Sequence, residues 1–263
     1  MQLPVTYLDG FNLGIEDARN IGRELSDTFR VAEPYPHVVI DDFLPMDVVT
    51  RLCQAFPDAV EVDHELYNIG YRGSMKRQYS PENCGTYARH FFHFLNSAPF
   101  LEFIGGVCGI TGILGDPYFE GGGFHETMMG GKLGIHRDFR IQKRLALLRR
   151  LNFILYLNED WKTEFGGELE LWNRDMSCRV KKVAPIVNRC VIFATDDRSF
   201  HGHPEPLNCP PNRSRRSVAA YYYTASEKIW NEVPSRRTHF VARPEEDAGV
   251  RDELRRVQIE PET

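Results

Sequence analysis

The first hundred residues show apolar positions at helical spacing, separated by short polar connections. Val48, Val49 and Leu52 illustrate the pattern, because they recur every three or four residues after a proline that suits a first helical turn. The apolar run His37–Ile40, bracketed by prolines, predicts a strand. Helices are predicted over residues 13–30, over MDVVTRLCQAF, from Thr86 onward, and from Ser97 to the glycines at 105 and 106.

Residues 57–85 lack a clear period and are rich in Gly, Tyr and Asn. This pattern predicts long loops. Long connections in a compact domain often cover a binding pocket, so a lid is one interpretation and ordinary surface is the alternative. The residues concerned are Tyr67, Tyr71, Arg72, Arg77 and Tyr79.

From about residue 115 the pattern changes to short β-rich runs separated by Gly, Pro and Asn/Asp turns. Side chains alternate in LNFILYLN, where Asn152, Ile154 and Tyr156 lie on one face and Phe153 and Leu155 on the other. Six strands at this spacing favour a sandwich, barrel or jelly roll. The predicted strands are FHETMM, KLGIHRDF, LNFILYLN, GELELW, RCVIFA and SVAAYYYT.

These elements predict a mainly β protein with N-terminal helices, of the α+β class. We expect residues 1–110 to form a helical support with a lead-in strand, and residues 111–226 to form the β core. Residues 227–263 are charged and contain several prolines, so we expect a peripheral tail with one short helix near 246–256. All three parts are expected to form one integrated domain.

Composition narrows the functional class. The net charge of −5 argues against a general nucleic-acid binder, and no apolar run is long enough to cross a membrane. The six cysteines form no C-x-x-C pair, so we expect unpaired thiols and no zinc-thiolate site. The N-terminus lacks the pattern of a secretory signal, and we expect a cytoplasmic protein. The sequence does not indicate an oligomeric state.

A candidate metal site lies in GIHRDF, where His136 and Asp138 are two residues apart on a predicted strand. Such residues project to one face, close enough to hold one ion. With a second histidine from a distant strand they would form the triad that holds Fe(II) and leaves three positions open. The alternative is a hydrogen-bonded pair at a strand end.

Further candidates follow the strand RCVIFA. We favour His201, just beyond a Ser-Phe extension of that strand, over His203 as the third ligand. Arg215 shares a strand face with Tyr221, and its guanidinium could bind a carboxylate in two places. The alternative for Arg215 is a solvated basic loop, which is how we interpret Arg213 and Arg216 at this point. We interpret His90, His93 and His125 as packing or hydrogen-bonding residues.

The sequence resembles the 2-oxoglutarate/Fe(II)-dependent dioxygenases, in their prolyl-4-hydroxylase-like branch. The resemblance rests on GGKLGIHRDF, on RRLNFILYLNEDWKTEFGGELELW and on VIFATDDRSFHGHPEPLNCPPNRSRRSVAAYYYT, and covers residues 125–224. One departure is the loop between His201 and Arg215, which NCPPNR lengthens. Because of this length, Arg213, which has the same strand parity, is the alternative to Arg215.

The resemblance implies a double-stranded β-helix, a jelly roll of the cupin type. It also implies that His136, Asp138 and His201 are the catalytic residues and iron ligands, and that Arg215, Tyr156 and Asn152 bind the cosubstrate. The implied cofactors are Fe(II), 2-oxoglutarate and O2, with ascorbate as an optional reductant. Because Asp138 is a carboxylate, the resemblance favours hydroxylation over halogenation.

The expected function is hydroxylation of an unactivated C–H bond in an amino acid, peptidyl or natural-product substrate, with release of succinate and CO2. Two other functions stay open. One is a cupin-type metalloenzyme that does not use 2-oxoglutarate, and the other is a metal-free β-helix binding module. Arg215 argues against the cupin-type enzyme, which needs no cation for a distant carboxylate. The joint presence of His136, Asp138, His201 and Arg215 argues against the binding module.

Overall fold

The computed structural model describes residues 1–225 and 238–259 of the chain. Helices flank a large antiparallel β-structure. The helices are α1 (Ile15–Val31), α2 (Met46–Gln54), α3 (Thr86–Leu95), α4 (Ala98–Cys108) and α5 (Ala248–Ile259). Short 3-10 turns span Gly70–Arg72, Pro81–Asn83 and Thr163–Phe165.

The strands pair antiparallel throughout; β1 and β2 form a separate two-stranded sheet, and the other described strands form a 13-stranded sheet that is a nearly closed barrel. They are β1 (Thr6–Tyr7), β2 (Phe11–Asn12), β3 (His37–Ile40), β4 (Glu65–Tyr67), β5 (Ser74–Tyr79), β6 (Leu114–Gly115), β7 (Gly123–Arg137), β8 (Ile141–Gln142), β9 (Leu147–Tyr156), β10 (Leu169–Trp172), β11 (Arg179–Val183), β12 (Cys190–Ala194), β13 (His201–His203), β14 (Ser214–Ala225) and β15 (His239–Phe240). This architecture confirms the predicted fold class, a mainly β core of the jelly-roll type with N-terminal helices.

Strand β7 connects two walls of the barrel. Its first half pairs with β5 and β14, and its second half pairs with β13 and β15. The change of partner falls at Gly130 and Gly131. Gly130 has a φ of 76°, a conformation that favours glycine. The prediction of two separate strands, FHETMM and KLGIHRDF, is therefore wrong, because the glycines redirect one strand without ending it. We call β5, the first half of β7, β14, β9, β12 and β3 the main wall, and β11, β10, β13, the second half of β7 and β15 the opposing wall.

The two faces of the main wall differ in chemistry, as the alternation in β9 predicted. Phe153 and Leu155 belong to the outer core, where helices α1 to α4 pack with a dense group of aromatic rings. Asn152 and Ile154 line an internal cavity between the walls. Burying one apolar face under helices leaves the other face available for polar chemistry.

Helix α4 does not end at Gly105 and Gly106 as predicted. It continues to Cys108 and ends at Gly109, whose φ of 68° is typical of a helix C-terminus. The two earlier glycines let α1 approach closely, since a Cβ on Gly106 would lie 2.9 Å from the carbonyl oxygen of Arg19. Here close helix packing outweighs the low helix propensity of glycine.

The expectation of long loops over residues 57–85 is wrong. Strand β5 pairs with β7 along Lys76–Tyr79, and β4 pairs with β5. The lid interpretation holds for part of this segment only, since Tyr67 and Arg72 line the cavity whereas Tyr71 is buried beside β7. The strand pairing is a tertiary effect that local periodicity does not report.

The C-terminal segment also departs from expectation. Helix α5 confirms the predicted short helix, but β15 adds to the opposing wall and places Phe240 against the ring of His136, with centroids 5.0 Å apart. At these residues the C-terminal segment is part of the opposing wall and is not peripheral. The domain boundaries at 110 and 226 stay predictions. Within the described part of the chain, every helix is too short or too polar to cross a membrane.

Candidate functional site

His136, Asp138 and His201 converge at the end of the cavity. One ligand atom from each residue can be chosen so that all three lie within 4.8 Å of one another. The Nε2 atom of His136 lies 3.7 Å from Asp138 Oδ1, and the Nε2 atom of His201 lies 3.4 Å from Asp138 Oδ2. All three residues are buried. Two imidazoles and a carboxylate in this arrangement suit a divalent metal ion with further open positions.

Backbone carbonyls orient the two imidazole rings. Nδ1 of His136 lies 2.9 Å from the carbonyl oxygen of Gly134, and Nδ1 of His201 lies 3.0 Å from that of Ser199. When Nδ1 carries the proton and donates it to these oxygens, each Nε2 keeps a lone pair directed at the centre. Burial and then the charge of His201 lower the pKa of His136 to about 3, so its ring is neutral at ordinary pH.

The third histidine comes from a separate strand. His201 begins β13, which pairs with β7 and β10, whereas RCVIFA corresponds to β12 in the main wall. The expected Ser-Phe extension of that strand is therefore wrong. The cross-strand pair His201–His136 brings the rings together, with centroids 4.5 Å apart. His203 lines the cavity but lies outside this ligand group.

Arg149 is the main residue that the sequence reasoning missed. Its guanidinium is 1% exposed and lies 3.1 Å from Asp138 Oδ2. Nε and Nη2 of Arg149 donate to Asn152 Oδ1 at 2.9 and 2.6 Å, and Asn152 Nδ2 donates to Asp138 Oδ2 at 2.6 Å. Although burial favours the neutral acid, Arg149 and the two histidines hold the pKa of Asp138 well below its usual range.

Asn152 was predicted to contact the cosubstrate. The structure shows its amide between Arg149 and Asp138, where it orients the carboxylate; contact with a cosubstrate stays a prediction. From the sequence alone, an arginine on a strand next to loop residues is expected to be exposed to solvent. Only the tertiary contacts with Asp138 and with the ring of Tyr221, 3.4 Å from the guanidinium carbon, explain why Arg149 is buried.

Arg215 lies in the cavity wall and is 6% exposed. Its Nε donates to the carbonyl oxygen of Gly167 at 2.7 Å, and its Nη2 donates to the hydroxyl of Tyr156 at 3.0 Å. Tyr156 is fully buried behind this guanidinium and so orients Arg215. The alternative, Arg213, contacts the carbonyl of Glu159 in a different surface depression.

The cavity between the walls has a volume of about 620 Å³. His125 also lines it, and its Nε2 lies 3.0 Å from the carbonyl oxygen of Gly121. His90 contacts the hydroxyl of Tyr7, and His93 is exposed on α3. His90 and His125 therefore have the hydrogen-bonding positions predicted for them, whereas exposed His93 does not have the packing position that was predicted. Arg137, between the two ligands in sequence, points away and donates to the carbonyl of Asp197.

Residues 122–223 match the 2OG-Fe(II) oxygenase superfamily. This segment contains both predicted histidine ligands, Asp138 and Arg215. The matched segment is less than half of the chain, and together with the similarity to a prolyl hydroxylase described below it confirms the predicted resemblance to the prolyl-4-hydroxylase-like oxygenases.

Individual relatives match this chain either over a short segment or at low sequence identity. The prolyl 3-hydroxylase OGFOD1 of Mus musculus is 35% identical over 82 residues, which make up 30% of this chain and 15% of that protein. A prolyl-4-hydroxylase from Pseudomonas putida superposes with a TM-score of 0.56 at 17% identity, over 78% of this chain and 99% of the other. A prolyl hydroxylase from Trichoplax adhaerens, solved with a hypoxia inducible factor peptide fragment, superposes with a TM-score of 0.53 at 16% identity, over 82% of this chain and 93% of the other. The two structures share the fold.

The side chains suit the groups that this superfamily binds. The ligand group contains imidazole and carboxylate and no thiolate, which matches Fe(II) in oxygenases. In the same cavity the cationic side chain of Arg215 has no carboxylate partner among the described residues. A buried guanidinium in a cavity beside a group that could hold a metal ion fits a ligand that chelates at one end and carries a carboxylate at the other.

Proposed function

We propose that this protein is an Fe(II)- and 2-oxoglutarate-dependent dioxygenase that hydroxylates an unactivated C–H bond. His136, Asp138 and His201 would hold the iron, and Arg215 would bind the distal carboxylate of 2-oxoglutarate. The observation that carries this proposal is the presence of the buried triad and a buried arginine in one cavity. When bound, iron, 2-oxoglutarate and O2 would supply oxidative decarboxylation to succinate and CO2 and insert one oxygen atom into the substrate.

The chain's own residues have three tasks in this reaction. Arg149 and Asn152 keep Asp138 ionised and oriented as a ligand. The carbonyls of Gly134 and Ser199 keep the imidazoles in the ligating tautomer. Phe240 covers His136 on one side and limits access of water to the ligand group.

Fe(II) binding and 2-oxoglutarate binding can be tested together. Titration of the protein with both under anaerobic conditions should give the weak visible charge-transfer band of the chelate. Arg215→Met should weaken the dependence of this band on 2-oxoglutarate by about 10- to 100-fold, because a charged hydrogen-bond partner of the carboxylate is lost. Arg213→Met is the matched control and should bind like the wild type.

The result also separates the alternatives. A band that needs Fe(II) but does not respond to 2-oxoglutarate would favour a cupin-type metalloenzyme without this cosubstrate. Absence of metal binding would favour a metal-free binding module. Equal 2-oxoglutarate affinity in the Arg215→Met and Arg213→Met proteins would remove Arg215 from the cosubstrate site.

We propose a peptidyl substrate as the first class to test. Support comes from the 82-residue similarity to a prolyl 3-hydroxylase and from the fold shared with a prolyl hydroxylase solved with a peptide. Screening proline-containing peptides beside free amino acids, with succinate release and a mass increase of about 16 for one oxygen atom, tests this class. Products from free amino acids alone would contradict it.

A further inference from the structure

A single tyrosine hydroxyl completes the pairing between β15 and β7. Phe240 pairs with His136, and the next pair in the same register is the one that follows them. In a regular hydrogen-bonded antiparallel pair, each amide donates to the other carbonyl. Here the amide of Val241 donates to the carbonyl oxygen of Ile135 at 2.9 Å. The reverse connection runs through Tyr71, whose hydroxyl accepts from the Ile135 amide at 3.2 Å and donates to the Val241 carbonyl oxygen at 3.3 Å.

Tyr71 is fixed in this position by close packing. It is 2% exposed and belongs to the 3-10 turn Gly70–Arg72, which precedes β5. Its ring lies so close to β7 that a Cβ added to Gly134 would be 2.5 Å from the ring atom Cε1. The carbonyl oxygen of Gly134 is also the one that orients the ring of His136. Tyr71 therefore contacts the backbone of β7 directly beside one of the candidate metal ligands.

The segment that Tyr71 contacts covers the ligand group, and we call residues 238–243 the strap. Phe240 of the strap lines the cavity, and its ring lies 5.0 Å from that of His136. Arg243 fixes the far end of the strap through ion pairs with nearby glutamates. Hydrogen-bonded and non-hydrogen-bonded pairs alternate along an antiparallel ladder, so the Phe240–His136 pair itself has no backbone bond. The strap is held there by the pairs on either side, and Tyr71 completes one of them.

We propose that Tyr71 is a positioning residue for the metal-ligand group. Its hydroxyl holds the strap closed over His136, so that a bound metal ion leaves only when this part of the strap opens. The inference rests on the proposed function, because it takes the triad to be the metal ligands. Without the hydroxyl, the buried amide of Ile135 would lose its partner in the closed state, and this loss favours the open state.

Amide hydrogen exchange of the metal-free full chain measures opening of the strap directly. Tyr71→Phe removes the hydroxyl and keeps the ring. We expect the amides of Ile135 and Val241 to exchange about 10-fold faster in this variant, because loss of one buried hydrogen bond shifts the equilibrium between closed and open strap by about that factor.

Metal release tests the consequence for the ligand group. The full chain loaded with Co(II) is mixed with an excess of chelator, and the loss of the visible Co(II) absorption gives the release rate. Tyr71→Phe should release Co(II) about 10-fold faster than the wild type. Val241→Pro removes the direct amide donor of the same pair and should also accelerate release. The double variant should be little faster than Val241→Pro, because both changes open the same strap.

Tyr222→Phe is the matched control. Tyr222 is fully buried, and its hydroxyl also donates to a carbonyl oxygen, that of Leu95 at 3.0 Å, in the outer core. Both tyrosine variants should lose a similar free energy of unfolding in urea. We expect Tyr222→Phe, in contrast to Tyr71→Phe, to keep the wild-type exchange of the strap and the wild-type rate of Co(II) release.

The inference is overturned if Tyr71→Phe exchanges the strap amides and releases Co(II) within about twofold of Tyr222→Phe. It is also overturned if exchange becomes faster while Co(II) release does not, since the strap would then not retain the metal. In both cases Co(II) binding by the wild type would leave the proposed metal site standing. A wild-type protein that binds no Co(II) would remove that site, and the positioning role of Tyr71 with it.

Discussion

The guanidinium of Arg149 lies 3.1 Å from the carboxylate of Asp138, and both groups are buried. Asn152 connects them, since it accepts from Arg149 and donates to Asp138. The negative charge that a metal ligand needs is thus already balanced in the metal-free protein. A buried carboxylate without this partner would be costly, because burial disfavours its charged form.

Replacement of Arg149 should therefore destabilise the metal-free protein strongly. We expect Arg149→Met to lower the free energy of unfolding by about 3 to 5 kcal/mol, the usual cost of leaving one partner of a buried ion pair. Addition of Mn(II) should recover part of this loss, because the ion replaces the missing positive charge. Urea unfolding with and without Mn(II) measures both effects.

Arg150→Met is the control for this prediction. Arg150 follows Arg149 on β9, is only half-buried and has the opposite strand parity. We expect a much smaller change in unfolding free energy and no special recovery by Mn(II). Equal losses in the two variants would contradict the role assigned to the Arg149–Asp138 pair.

Stability of the metal-free protein should also depend on pH through the buried histidines. His136 titrates near 6.5 when unfolded and near 3 when folded, so the unfolded state holds more protons between these values. The free energy of unfolding should fall as pH drops from 6.5, by up to about 1.4 kcal/mol per pH unit for each such histidine. His201 acts in the same direction, because burial lowers its pKa too.

Urea unfolding in the presence of a chelator, between pH 7 and pH 5, checks this dependence. In this range most carboxylates stay ionised, and the histidines dominate the slope. His136→Gln should reduce the slope, because one proton acceptor of the unfolded state is removed. An equal slope in wild type and variant would show that His136 is not buried in its neutral form.

The sequence predicted that His136 and Asp138 lie together because the signal for this arrangement is local. His136 and Asp138 alternate on one strand, so a strand assignment alone places both side chains on one face. The alternation of Asn152 with Phe153 likewise separated the cavity face of β9 from its core face. Successive side chains of a strand point to opposite faces whichever strands it pairs with, so such patterns can be recognised from the sequence alone.

Other parts of the site depend on contacts between distant segments. Strand β5 and strand β15 are short and have little periodicity of their own, and each forms by pairing with β7. Consequently Lys76 and Phe240 were assigned to a loop and to a tail, although both line the cavity. Register with a distant strand is a tertiary property that no local window of sequence contains.

Helix packing at the back of the barrel gives another prediction. A Cβ added to Gly22 of α1 would lie 2.4 Å from the carbonyl oxygen of Phe103 in α4, which is too close for any real contact. Gly22→Ala should force α1 and α4 apart and lower the free energy of unfolding by about 1 to 3 kcal/mol, despite the better helix propensity of alanine.

The matched control is Gly85→Ala. A Cβ there meets nothing within 4 Å, and Gly85 has a φ of −62°, which alanine adopts without strain. Gly85 is the N-cap residue of α3, where alanine is less favourable than glycine, so this variant should lose less than about 1 kcal/mol of unfolding free energy. If Gly22→Ala were as stable as Gly85→Ala in urea unfolding, the close approach of the two helices would not be a constraint on the fold.

Phe240 offers a test of how the C-terminal strand shapes the ligand group. Its ring lies 5.0 Å from that of His136, and burial is the largest cause of the low pKa of this histidine. Phe240→Ala should admit water beside His136, weaken the desolvation, and move the pKa of the imidazole from about 3 toward its ordinary value of 6.5. Imidazole NMR titration of the metal-free protein measures this shift.

Phe165→Ala removes an equally large ring from a separate cluster that contains Leu207 and Cys209, and it serves as the control. We expect this change to leave the pKa of His136 as it is in the wild type. An unchanged pKa in Phe240→Ala as well would mean that other side chains keep water from His136. A selective shift in Phe240→Ala would instead show that residues beyond the superfamily match at 122–223 help set the protonation of the ligand group.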